Sequence, residues 1–176
     1  KRKIRIMGNK PVKIDGNNAF EDCDVLNHLL RAYAANAEAS TLNSDELSWV
    51  FNKGTVKSLR ANDVDLKCFV ETQENVQWLA VESPSHVMNH LVRSDLTWYP
   101  DAGIFVMEGI KRISEDLLKT AEPYLDSKKK LCACGHGIGG AAAVIVAHSL
   151  QLKGFEVKSV VTFGQVGNWE GGIAMP

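Results

Sequence analysis

Cys134-Gly135-His136-Gly137-Ile138-Gly139-Gly140 is the stretch on which the fold turns. Leu131 to Cys134, just before it, is short and apolar, as a buried strand is. After it, Ala141 to Lys153 is a helix-length run rich in small and branched residues, closed by Gly154. Val157 to Phe163 reads as a second buried strand. Residues 131–163 therefore predict a strand, a tight glycine turn over Gly135–Gly140, a helix and a strand. That is one βαβ unit of a parallel sheet.

Two motifs with chemistry fit the turn. The first is the nucleophile elbow G-x-S-x-G, with Gly135 and Gly139 as its flanks and Gly137 where the serine belongs. An elbow holds its central residue in a strained backbone conformation at the strand-to-helix corner, and side chains on the flanks would collide with neighbouring backbone. The residue after the centre, Ile138, would donate one oxyanion-hole N–H. The second motif is G-x-G-x-x-G, matched by Gly135, Gly137 and Gly140. In a dinucleotide-binding unit the helix N-terminus would hold a pyrophosphate. Such a unit wants an acid at the end of the next strand, to bind the ribose. Here that strand runs out as Val161-Thr162-Phe163-Gly164-Gln165, and Glu156 stands at its other end. The missing acid weighs against a dinucleotide. A glycine turn with a purely structural role is the third reading.

Upstream, residues 1–21 are polar and Gly/Asn-rich and predict an extended arm, leaving 22–176 as one domain. Asp22 to about Glu38 predicts a helix, with Val25, Leu26, Leu29, Leu30 and Tyr33 at helical spacing. Asn43 with Glu46 predicts the capped start of a short helix whose apolar side is Trp49, Val50 and Phe51. Leu66–Val70 and Val76–Val81, joined by Gln73-Glu74-Asn75, predict a hairpin. Glu82–Asp101 reads as loop and short helix. Gly109–Leu125 is an amphipathic helix with Ile110, Ile113, Leu117, Ala121 and Leu125 on one face. Lys128–Lys130 is a solvated turn.

The 176 residues suffice for one domain with a core. Net charge is −1, from 20 basic and 21 acidic residues, which leaves no footprint for nucleic acid or an anionic membrane. No apolar run reaches the roughly 20 residues that span a bilayer. Lys1-Arg2-Lys3 is followed by no apolar stretch of the kind a secretory signal has. Cys23, Cys68, Cys132 and Cys134 contain no CxxC pair and predict free thiols in a reducing, intracellular compartment. Cys132 and Cys134 lie on one face of their strand. The start at Lys1 and the stop soon after the last core strand predict a trimmed chain and a fold cut before completion.

The motifs resemble those of the class 3, fungal-type, lipases of the α/β-hydrolase superfamily. Cys134–Ala141 is similar to that family's G-H-S-L-G-G-A apart from the serine. Val161–Gln165 with Val166-Gly167-Asn168 resembles its T-F-G-x-P-R-V-G-N, without the Pro-Arg pair. Gly103–Ile110 resembles its V-H-x-G-F, and Trp78–Asp95 the segment carrying R-G-T and then D-W. The resemblance implies an α/β-hydrolase-like, mostly parallel sheet with flanking helices. It puts the nucleophile position at Gly137 and the elbow at Gly135, His136, Ile138 and Gly139. R-G-T aligns with Glu82-Ser83-Pro84, so the oxyanion position falls on Pro84, which has no N–H to donate. The family's acid and catalytic histidine lie beyond the stretch that this sequence carries, and His136 matches a histidine that packs and does not catalyse.

The expectation is a catalytically silent lipase-like domain, a scaffold or binding module held in a larger assembly by a protein partner, with no cofactor and no metal. The alternative is a piece of a lipase or esterase whose nucleophile is substituted; lipid binding fits either. Three other features carry less. His86 and His90 are spaced i, i+4 but lack the third ligand a zinc site needs. Ser149 reads as a solvent or packing residue of its helix, and Trp78, Trp98 and Trp169 as core or rim aromatics.

Overall fold

Strands that are apolar on both faces need cover on both faces. Leu66–Thr72, Val76–Val81 and Lys130–His136 are of this kind, with nearly every interior position buried. The computed structural model describes residues 23–36, 51, 56–83, 95–100 and 104–164. Within them lie α1 (Cys23–Ala34), β1 (Val56–Ala61), β2 (Leu66–Thr72), β3 (Val76–Val81), β4 (Leu96–Tyr99) and β5 (Ile104–Met107). They are followed by α2 (Glu108–Ala121), a 3-10 turn (Glu122–Tyr124), β6 (Lys130–His136), α3 (Gly137–Leu152) and β7 (Val157–Phe163).

The main sheet has the order β1-β2-β3-β6-β7. β1, β2 and β3 pair antiparallel, while β3, β6 and β7 run parallel. This is the mixed hydrolase-like sheet with flanking helices that the sequence predicts, and β6–α3–β7 is its βαβ unit. β4 and β5 form a separate two-stranded ribbon ahead of α2.

Pleating divides the side chains between two layers. Cys68, Val70, Leu79, Val81, Leu131 and Ala133 meet α2 and α3 in the larger core, with Ile110, Ile113, Leu117, Ile138 and Ile145. Phe69, Ala80 and Cys134 point the other way and pack under α1 with Ala32, Ala35 and Phe51. The expected common face of Cys132 and Cys134 is thus the α1 face. Cys68, Cys132 and Cys134 are buried free thiols. Burial, with the carboxylates of Glu82 and Asp116 nearby, pushes the Cys68 thiol up to about 12. Burial also raises Cys134, against the pull of the Arg31 cation. Both are protonated and inert at neutral pH.

The helix at Asp22–Glu38 is observed over Cys23–Ala34, but turned against expectation. Val25, Leu26, Leu29 and Tyr33 are exposed, whereas His28, Arg31, Ala32 and Ala35 are buried. The reason lies across the interface. Arg31 Nε donates to Glu71 Oε2 at 2.7 Å, and both side chains are almost wholly buried. The guanidinium also stacks 4.1 Å from the Trp78 ring centroid. His28 meets the same ring edge-on at 4.6 Å and hydrogen-bonds Ser159 Oγ at 3.0 Å. A buried carboxylate on β2 needs a cation, and the helix turns its arginine inward to supply it.

β1, and β4 within the segment read as loop and short helix, are additions to the sequence reading. The arm at 1–21 and the helix begun at Asn43 fall outside the described residues, apart from Phe51.

Candidate functional site

β6 passes into α3 with no loop between them: His136 ends the strand and Gly137 opens the helix. The corner at Gly137 has φ +55°, a left-handed angle that residues with a Cβ resist. This is the strained geometry that an elbow requires of its central residue. Gly137 supplies no side-chain atom there.

Each flank is glycine because backbone lies where its side chain would go. A Cβ on Gly135 would stand 2.6 Å from the carbonyl carbon and oxygen of Gly139. A Cβ on Gly139 would stand 1.9 Å from the carbonyl oxygen of Glu82, at the end of β3. Gly140 is nearly as close-set, with Gly135 O at 3.0 Å and Thr162 Cβ at 3.1 Å from its missing Cβ. The four glycines let the first turn of α3 press against β3 and β7. Ile138, by contrast, points its side chain into the larger core and is 1% exposed.

The N-terminus of α3 is electrostatically plain. His136, its N-cap residue, is extended at φ −115° and ψ 146° and makes no side-chain capping hydrogen bond. No acid lies in the first turn. The exposed His136 ring lies against Gly164, whose missing Cβ would be 3.1 Å from Nε2. It forms one wall of a cleft of about 210 Å³ with Leu29, Ala32, Tyr33, Asn36 and Phe163. This mostly apolar recess lies between the end of α1 and the ends of β6 and β7. Among the described residues no group of three or more His, Cys, Asp or Glu could hold a metal ion. No helix among them is long and apolar enough to cross a membrane.

Pro84, His86, His90 and Trp169 lie outside the described residues. Trp78 is buried beneath α1, and Trp98 is 47% exposed on the β4–β5 ribbon, edge-on to Phe105. Ser149 is buried and donates to Ile145 O at 3.0 Å, a packing residue of α3. Two features of the structure have only weak sequence signals. One is Ser83, beside Gly137. The other is the Arg31–Glu71 pair, whose only sequence signal is the i, i+3, i+4, i+7 spacing of His28, Arg31, Ala32 and Ala35.

Solved structures share this fold. The Lip2 lipase of Yarrowia lipolytica superposes with a TM-score of 0.65 at 17% identity, over 85% of this chain and 60% of that one. Lipase II of Rhizopus niveus gives 0.63 at 14% identity, over 82% of this chain and 62% of that one. The lipase of Rhizopus microsporus var. chinensis gives 0.62 at 17%, over 80% and 57%. The chain has the fold of these fungal lipases. It spans about 60% of their length. No model of a known family matches the sequence, and no curated protein does.

Proposed function

We propose that this hydrolase-fold domain is catalytically silent and works by binding, as a scaffold or a subunit of a larger assembly. The observation that carries the reading is Gly137: it stands at the corner, at the left-handed angle, with no oxygen to attack a carbonyl. The alignment of Pro84 with an oxyanion donor supports the same reading, because proline has no N–H. So does the outward face of α1, where Leu26, Leu29 and Tyr33 offer apolar surface to a protein partner. The buried free thiols fit a reducing, intracellular compartment. A nucleotide is the weaker reading of the glycine turn, since β7 closes on Thr162-Phe163-Gly164 without the acid that would hold a ribose.

A second reading rests on the lipase folds: the chain is part of an ester hydrolase whose serine is substituted. Gly137→Ser tests the first reading. As a silent domain, the chain leaves p-nitrophenyl butyrate and octanoate at the buffer rate, and so does the Gly137→Ser variant. A lone hydroxyl without a base is a poor nucleophile at neutral pH. The variant also melts lower, because serine at φ +55° adds strain of about 1–3 kcal/mol. Saturable turnover by the variant would instead establish a working acid–base pair and support the enzyme reading.

A further inference from the structure

Ser83 stands in the space that a side chain at residue 137 would occupy. A Cβ built on Gly137 lies 2.8 Å from Ser83 Oγ but 3.9 Å from Ser83 Cβ. The first separation forces a displacement, while the second is ordinary van der Waals contact. Ser83 comes just after β3, whose end runs beside that of β6 with Val81 opposite Gly135. Its own backbone is anchored. The Ser83 N–H donates to Asn36 Oδ1 at 3.2 Å. Asn36 Nδ2 in turn donates to the carbonyls of Ala32 and Tyr33, both at 3.3 Å, at the end of α1. The serine therefore comes to the corner on a backbone tied to α1, and only its χ1 can move the oxygen.

We propose that Ser83 and Gly137 are a fitted pair: the corner holds one hydroxyl-bearing side chain, and Ser83 supplies it from just beyond β3. Residue 137 is then kept as glycine by two separate demands, its backbone angle and the Ser83 oxygen. A side chain restored at 137 meets both unless residue 83 changes with it. The proposal concerns how the corner is filled and stands whether or not the domain is silent.

The test is a thermal cycle of Ser83→Ala, Gly137→Ala and the double variant. Ser83→Ala removes the oxygen and leaves the Cβ at its harmless distance. It moves the melting temperature by less than about 2 °C. Gly137→Ala lowers it by about 6 °C, from backbone strain and the oxygen contact together. In the Ser83→Ala background the same change costs less, by at least about 2 °C, since only the angle still opposes it. Equal losses in both backgrounds would mean that the hydroxyl swings aside freely, and would overturn the pair. If Gly137→Ala alone does not fold, the double variant must recover folded protein, and its failure to do so overturns the proposal as well.

Discussion

Gly139→Ala lowers the melting temperature by at least about 10 °C, or prevents folding. The added Cβ would lie 1.9 Å from the carbonyl oxygen of Glu82, 2.8 Å from its carbonyl carbon and 2.9 Å from the carbonyl oxygen of Val81. All three are backbone atoms at the end of β3. No rotamer change relieves the contact, and β3 is hydrogen-bonded on both sides, to β2 and β6. Ordinary overpacking costs about 1–3 kcal/mol because side chains can shift. Here the strand and the first turn of α3 must separate, which opens the core around Ile138. Gly154→Ala is the control. Gly154 has φ +95° but nothing within 4 Å of its missing Cβ, so the substitution carries only a backbone cost. Thermal melts of the two variants should differ severalfold in their shifts. A Gly139→Ala shift under about 2 °C would mean that α3 does not approach β3 this closely.

Arg31→Met costs about 3–5 kcal/mol, the second largest effect expected, because it strands the Glu71 carboxylate in the interior. Glu71 is fully buried, and its second oxygen accepts from the Gln73 amide at 3.0 Å. The lost stacking on Trp78 adds to the penalty. Replacing both partners, as Arg31→Met with Glu71→Leu, should recover most of the loss, since neither charge then needs solvation. Urea titrations of the two variants beside the parent measure it. A single-variant loss below about 1 kcal/mol would show the pair to be solvated, and α1 to sit less tightly on the sheet.

The contrast between these two regions explains what the sequence could disclose. Around the corner, backbone packs on backbone, and only glycine permits it. Gly135 and Gly139 could therefore be read from their spacing alone. The bounds of Val76–Val81 and Val157–Phe163 were legible to the residue, but Val157–Phe163, expected to be buried, has only Val160 buried, since Lys158, Ser159 and Thr162 interrupt its apolar residues. Helix α3 starts at Gly137, four residues earlier than the sequence suggests, since its first turn is glycine-rich and has poor intrinsic propensity. Tertiary contact overrides the preference there. β1 was hidden because Val56-Lys57-Ser58-Leu59-Arg60-Ala61 lacks clean alternation, as suits a strand at the sheet edge. β4 is only four residues long.

α1 is the instructive case. Its large apolar residues and its buried residues both follow a helical period, on different faces. Periodicity identified the helix but picked the wrong face, because the deciding partner, Glu71, is distant in sequence. The contact of Ser83 with Gly137 likewise depends on β3 and β6 being neighbours across a long excursion of chain, and the match of Glu82-Ser83-Pro84 to R-G-T is the sequence signal for it.

With glycine at its centre, the proposed elbow offers a serine-directed phosphonate nothing to react with, and covalent labelling reads this outcome itself. Incubate the purified chain with a fluorophosphonate at neutral pH and record the intact mass. An unchanged mass is expected after prolonged exposure, because Gly137 has no hydroxyl for the reagent to capture. Stoichiometric addition of one phosphonyl group, mapped to any serine of the chain, would contradict it.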